Sequence, residues 1–442
     1  SWLIVVISLI VIFLGALVTY HPNRGKGLVK GTNSTPRIYQ LRERLQQWFL
    51  KARGVRKSTT KAELVKPAQR NPARWTSARC NDGTPFAFEL ERSTAGKHDW
   101  VIWLEGGGFC DDNAKSCSAG RGRLATTIPG ADRTSVDFAK TGGIFNSDTA
   151  RNPTFAQANK VYAHYCSSDG WSGATDKRRK TSGDPQNGWY FSGRLNVQAM
   201  LELLKDEYGL DDGNTQTKVL FSGSSAGGVG VFVNADSLAQ LLPQSSRAGR
   251  VKLVADGGGA EPDFDNPNFR PGEAKTSARQ VFIQAYDFFG SGANGRCEED
   301  LRQKGQDKRA CFFGKVSYPY IKNLGFPLLV QSSSIDKFGL DLHGVDDPKD
   351  PAEAAAIEEF RQDSLAGFAG FDWLFSGGGR PYHTILTGDG LGGWEMAGGG
   401  TTFKDLMTRF WQGGLPERVV FENPSGASEQ WFNLRVEQTS GN

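Results

Sequence analysis

The sequence is poor in the residues that many chemistries require. Five histidines among 442 residues leave few candidates for an imidazole base. H-E-x-x-H and C-x-x-C are both absent, and the acids at Asp263 and Asp265 lack EF-hand spacing, so a metal site has little support. There is no P-loop. G-x-G-x-x-G occurs twice, from Gly290 and from Gly388, but neither copy follows a β-like run and opens a helix, so neither supports dinucleotide binding. A formal net charge of +4 is too small to suggest a nucleic-acid binder. No internal repeat is present.

What remains is the composition of a folded protein. Hydrophobic residues make up 38% and charged residues 23%, which excludes a wholly disordered chain, and the length suffices for one large domain or two ordinary ones. The 55 glycines follow no collagen period and belong to turns and loops. Six cysteines, an even number, fit disulfides formed outside the cytosol.

The N-terminal part differs from the rest. Trp2 to Val18 carries no charge and is almost wholly aliphatic, at the lower limit of length for a bilayer span. Residues 1–20 therefore read as a transmembrane signal-anchor, with a cleaved secretory signal as the alternative. A basic juxtamembrane stalk, 21–74, follows. Within 21–70 there are 13 Lys or Arg against two acids, a net of +11, whereas 71–442 holds 39 basic and 46 acidic residues, a net of −7. Ile38, Leu41, Leu45 and Trp48 recur at helical spacing among arginines, the pattern of a basic amphipathic helix at a membrane or of a solvated stalk. The positive charge favours a cytosolic location for that side of the span. The cysteines argue the opposite, and six of them in one folded region are the larger constraint. The expected location of the folded part is therefore extracytoplasmic, either anchored or secreted. Asn33-Ser-Thr is a glycosylation sequon.

From Trp75 to the end the texture is globular. Val101–Glu105, Lys160–Tyr165, Lys218–Ser222, Lys252–Ala255 and Pro327–Gln331 are β-like runs bounded by turn residues, and Leu195–Tyr208 has helical periodicity. Strands alternating with helices predict an α/β fold with a mainly parallel sheet and long loop insertions, over 75–442 as one domain. The Gly- and Asp-rich stretches near 257–296 and 376–400 read as surface insertions.

Gly223-Ser-Ser-Ala-Gly227 is a G-x-S-x-G directly after a β-like run and before a helix-like one, the context of a nucleophile elbow, with Ser225 as the nucleophile. Upstream, Trp103-Leu-Glu-Gly-Gly-Gly-Phe-Cys110 ends a strand in three glycines. It corresponds to the HGGG-type loop of esterases with Glu105 in place of His, and the amides of Gly107, Gly108 and Ala226 are the candidate oxyanion donors. A serine hydrolase also needs a base and a carboxylate that orients it. In the order Ser, acid, His, only His343 and His383 follow the serine. His383 is favoured, because His343 lies seven residues after Asp336 on the same loop. Asp336, beyond the run Pro327–Gln331, is the favoured acid, with Asp256 as its rival. His21, His98 and His164 precede the serine and are read as bystanders.

These residues, in this order over about 75–411, resemble the pectin acetylesterase family, which includes the Notum-type protein deacylases. Cys80-Asn-Asp-Gly-Thr-Pro is similar to the family's opening and Leu104-Glu-Gly-Gly-Gly-Phe-Cys110 to its oxyanion loop. Asn152-Pro-Thr-Phe, Asn159-Lys-Val and Tyr165-Cys166 follow in register. Ser222-Gly-Ser-Ser-Ala-Gly-Gly228 resembles its elbow, Pro327 to Asp336 its acid strand and Tyr382-His383 its histidine loop. The resemblance implies an α/β-hydrolase-like fold, a Ser225–His383–Asp336 triad and the pairings Cys80–Cys166, Cys110–Cys117 and Cys297–Cys311. Cysteine arithmetic alone leaves 15 pairings open. Two departures stand out: Ser224 occupies a position where the family often has Cys, and the cysteines that often flank the histidine are missing.

The activity expected is ester hydrolysis through an acyl-enzyme, without cofactor or metal. The expected substrate is an O-acetyl ester on a cell-wall or extracellular polysaccharide. The alternatives are a longer acyl chain on a lipidated protein or lipid, and a catalytically inactive binding protein on the same fold. No nucleic-acid partner is expected, a membrane is met through the N-terminal helix, and the chain is taken as a monomer.

Overall fold

A computed structural model describes residues 62–110, 117, 138–260, 278–343, 351–376, 381–388, 393–394, 397–398, 401–415 and 419–422. The chain divides into two compact units, Ser1–Arg56 and Lys57–Asn442. The first lies outside the described residues, and with it the expected membrane segment, most of the basic stalk and Asn33. Among the described residues no helix is long and apolar enough to cross a membrane.

Nine strands form one sheet: β1 (Glu63–Val65), β2 (Phe88–Glu91), β3 (Asp99–Leu104), β4 (Asn159–Ala163), β5 (Lys218–Ser224), β6 (Val251–Asp256), β7 (Leu328–Gln331), β8 (Trp373–Ser376) and β9 (Val419–Glu422). Their order is β1-β2-β4-β3-β5-β6-β7-β8-β9. Pairing is parallel from β4 to β9, and β1 and β2 add an antiparallel edge. The main helices are α1 (Gly193–Tyr208), α2 (Ala226–Leu241), α3 (Ala278–Phe289), α4 (Gly295–Gln303), α5 (Gly314–Asn323), α6 (Lys337–His343), α7 (Pro351–Phe368) and α8 (Phe403–Gln412).

Each of the central strands is apolar on both faces, as a parallel sheet covered on both sides requires. Ile102, Phe221, Leu253 and Val330 pack with Met200 and Leu204 of α1 and Phe232 of α2. Their alternates Val101, Leu220, Val254 and Leu329 pack with Phe403, Met407 and Phe410 of α8. The period-2 alternation sends successive side chains to opposite layers. It also fixes where polar residues at the strand ends point: Ser224 and Asp256 continue the series of Leu220 and Val254, on the α8 side.

The structure departs from the sequence reading in three places. The stretch 257–296 is not wholly a surface insertion: α3 lies within it, and Phe282, Tyr286 and Phe289 are buried. In 376–400, Ile385, Leu386 and Trp394 are core residues. The sheet also begins upstream of Trp75, because β1 pairs with β2. Disulfides join Cys80 to Cys166, Cys110 to Cys117 and Cys297 to Cys311.

Candidate active site

The carboxyl end of β5 runs into α2 through one residue. Ser225 has φ 58° and ψ −122°, a left-handed conformation that costs a non-glycine residue roughly 1–3 kcal/mol and persists only where the surroundings enforce it. Its amide donates to the carbonyl of Asp256 at 2.7 Å, and its own carbonyl accepts from Val229 in the first turn of α2. Close packing holds the elbow shut. A Cβ on Gly227 would lie 2.0 Å from the Leu104 carbonyl oxygen, and one on Gly106 would lie 2.8 Å from Cβ of Ser225. Glycine at these positions lets the loop after β3 lie directly against the serine.

That loop carries Gly107 (φ 149°) and Gly108 (φ 69°), while Ala226 opens α2, where amides have no acceptor within the helix. Its shape is enforced from behind. The Glu105 carboxylate accepts from the Tyr162 hydroxyl at 2.6 Å and the Tyr165 amide at 2.9 Å. The Glu105 carbonyl accepts the Trp171 indole N–H at 2.9 Å. Trp171 is held in turn by Asp169, which is fully buried and accepts from the amides of Trp171, Gly173 and Gly193 and from the Ser167 hydroxyl. Burial pushes the Asp169 carboxyl up to about 6 against the pull of those donors. The sequence points to Glu105 by its place in the glycine loop, but not to its bonds with Tyr162 and Tyr165, and it points to neither Asp169 nor Trp171. The Asp-Gly step at 169–170 signals a turn, but nothing local reveals what the turn supports.

Asp336 follows β7 and starts α6, its Oδ1 accepting the Gly339 amide at 3.0 Å. Its carboxylate meets Nδ1 of His383, at 2.8 Å from Oδ2 and 3.1 Å from Oδ1. An acceptor-only carboxylate requires Nδ1 to be the donor, which leaves the Nε2 lone pair of the neutral ring as a base. The Phe338 ring stacks on the imidazole with centroids 5.3 Å apart. His343, the alternative to His383 in the sequence, closes α6. His98 contacts Asn214, and His164 lies between Glu89 and Glu105 at 3.6 and 3.9 Å.

Asp256, the rival acid, is engaged otherwise. Its carboxylate accepts the Ser224 hydroxyl at 2.5 Å, the Ile385 amide at 3.0 Å and the Leu386 amide at 3.1 Å. Trp103 Nε1 donates to the Ser224 oxygen at 3.0 Å, so the hydroxyl proton is committed to Asp256. Among the described residues no group of three or more His, Cys, Asp or Glu is placed to hold a metal ion.

A serine on a strand–turn–helix elbow at the carboxyl edge of a mainly parallel sheet, with a carboxylate–imidazole pair on later loops of that edge, defines an α/β-hydrolase-like protein. The family model described as pectinacetylesterase matches residues 56–368, and the chain belongs to that family. The chain is 33% identical over 253 residues to palmitoleoyl-protein carboxylesterase notum1a of Danio rerio, covering 56% of this chain and 46% of the relative. It is 32% identical over 254 residues to the Homo sapiens palmitoleoyl-protein carboxylesterase NOTUM, covering 56% and 47%. The chain thus spans about half the length of the curated relatives it matches. The solved structure of the Wnt deacylase Notum from Drosophila is similar with a TM-score of 0.68, 23% identity and coverage of 83% of this chain and 97% of that one, a likeness of fold.

Proposed function

We propose that this protein is a serine carboxylesterase. The observation that carries the reading is the His383–Asp336 pair, at 2.8 Å, on the same sheet edge as the strained Ser225. Ser225 Oγ attacks the ester carbonyl while His383 Nε2 takes its proton. Asp336 holds the tautomer and stabilises the imidazolium. The amides of Gly107, Gly108 and Ala226 receive the oxyanion, each such donor typically contributing about 10²–10³ in rate. The alcohol leaves with the proton from His383, and water, activated by the same base, releases the acid and restores the serine.

The substrate proposed is an O-acetyl ester on an extracellular polysaccharide, in line with the family description. The second reading, a longer acyl chain on a protein, is favoured by the names of the relatives, palmitoleoyl-protein carboxylesterases. Three disulfides support an oxidising, extracytoplasmic compartment, with residues 1–20 as signal-anchor or cleaved signal.

The test is hydrolysis of p-nitrophenyl esters from acetate to palmitate, with Ser225→Ala alongside. A maximum at acetate supports the polysaccharide reading and a maximum at long chains the second. Full activity in Ser225→Ala overturns the nucleophile assignment, and absence of fluorophosphonate labelling at Ser225 would instead indicate a binding protein on this fold.

A further inference from the structure

Of the carboxylates at the edge of the sheet that carries Ser225, the mechanism above uses Asp336 and leaves Asp256 without a part. Asp256 is fully buried at the end of β6, next to β5 in the sheet and in register with Ser224. Its main chain and its side chain act on different parts of the site. The carbonyl accepts the Ser225 amide at 2.7 Å, which holds the nucleophile in its left-handed conformation. The carboxylate accepts the Ile385 and Leu386 amides at 3.0 and 3.1 Å, the second and third residues after His383. The same carboxylate takes the Ser224 hydroxyl, whose oxygen is fixed by Trp103. The turn after Asp256 completes the arrangement, because a Cβ on Gly257 would meet the His383 carbonyl oxygen at 2.1 Å. One residue therefore touches the backbone on both sides of the proton transfer that the proposed reaction needs.

We propose that Asp256 is a positioning residue for catalysis, whose carboxylate sets the distance between His383 and Ser225 by clamping the histidine loop to the strand that bears the nucleophile. This rests on the triad reading of Ser225, Asp336 and His383. Asp256 touches neither substrate nor the reacting atoms. Its clamp needs the ionised form, since a protonated carboxyl gives up an acceptor position where three donors converge. Burial works against that form and pushes the carboxyl up to about 6, while the three donors and the nearby His383 pull it down. His383 in turn faces two carboxylates, Asp336 in direct contact and Asp256 behind its loop.

The experiment is Asp256→Asn in the full chain, assayed on p-nitrophenyl acetate across pH 5–9 beside wild type and Ser225→Ala. An amide keeps the size but presents N–H groups to at least one of three donors. Misplacement of a reacting group by about 1 Å typically lowers turnover on the order of 10²-fold, so kcat is expected to fall by about 10–100-fold with KM within about threefold. Removing a negative charge near the imidazolium also moves the acid limb of kcat/KM to lower pH, which a loss of folded protein alone would not do. A folded Asp256→Asn with wild-type kcat, or with an unmoved acid limb, overturns the proposal. If that variant does not fold, Ser224→Ala decides: it removes one donor and leaves the charge, and full wild-type kcat in the folded variant overturns the clamp, whereas a fall of about fivefold or more at constant KM upholds it. Activity in Ser225→Ala would instead overturn the triad reading, independently of these outcomes.

Discussion

The indole N–H of Trp171 donates to the Glu105 carbonyl at 2.9 Å, across 66 residues of sequence. Through this bond a loop after β4 sets the path of the glycine loop after β3. Trp171 is fully buried, edge-on to Phe86 with centroids 6.2 Å apart, and its own φ of 62° is stabilised by Asp169. The site is therefore shaped by left-handed residues that include Trp171, held by Asp169 two residues before it in the same loop, and Ser225, held by Asp256 at the end of the neighbouring strand β6.

Trp171→Phe keeps most of the packing and removes the donor. The Glu105 carbonyl then loses a partner, a stability loss of about 1–3 kcal/mol. Because the glycine loop loses its tie, kcat should fall by about tenfold or more while the folded fraction at 25 °C stays near that of wild type. Thermal unfolding and steady-state kinetics on one preparation check both parts.

Asp336→Asn should lower kcat by roughly 10³–10⁴-fold with little change in fold, because an amide can donate to Nδ1 and so stabilise the wrong tautomer. The downfield proton of the His383–Asp336 hydrogen bond, followed by NMR, should disappear with the activity. Retention of both would place the acid elsewhere.

Asp169 governs a pH dependence of stability whose sign differs from that of an ion-paired carboxylate. Its folded value, about 6, lies above the ordinary 3.8, so between these values the folded chain binds more protons than the unfolded one. The favourable contribution is complete below about pH 4 and is lost as pH rises through 6. The stability gap between wild type and Asp169→Asn should therefore narrow from pH 4 to pH 7. Unfolding midpoints in urea at several pH values measure it, and a gap that widens would mean that the buried carboxyl is held down, not up.

Lys160 is buried on β4, with Nζ 3.1 Å from Glu91 on the paired strand β2 and 2.9 Å from Ser147. Burial lowers its pKa, with Glu91 acting in the opposite direction. Lys160→Met strands Glu91 and should cost about 3 kcal/mol or more, whereas Lys160→Met with Glu91→Leu should recover most of that loss. Chemical unfolding of the two variants tests it. Activity should follow the folded fraction, since the partners of Lys160 among the described residues are Glu91 and Ser147, and neither is one of the proposed site residues.

The central strands were legible because each is an apolar run closed by turn residues. The α8 side and the α1/α2 side follow from the alternation of Val101 with Ile102 and of Leu220 with Phe221. The elbow was legible because Gly223, Ser225 and Gly227 fall between a strand and a helix. The supports of the site were not. Asp169, Trp171 and the carboxylate contacts of Asp256 depend on partners far along the chain, and a short window carries no trace of them. α3 was missed for a related reason: glycine and aspartate around it set the average composition of 257–296 and masked Phe282, Tyr286 and Phe289. β1 leaves no mark in the sequence, because three residues among lysines carry no period.

The bridge between Cys80 and Cys166 closes a ring of chain that contains Gly106, Gly107 and Gly108 but not Ser225. The proposed oxyanion donors on the glycine loop thus belong to a covalent circle, whereas Ser225, the proposed nucleophile, follows a strand outside it. A single protease cut anywhere from 81 to 165 leaves every residue of the protein in one covalent molecule until a reductant opens the bridge. A clipped enzyme would then migrate as intact on a non-reducing gel and separate into two pieces only after reduction.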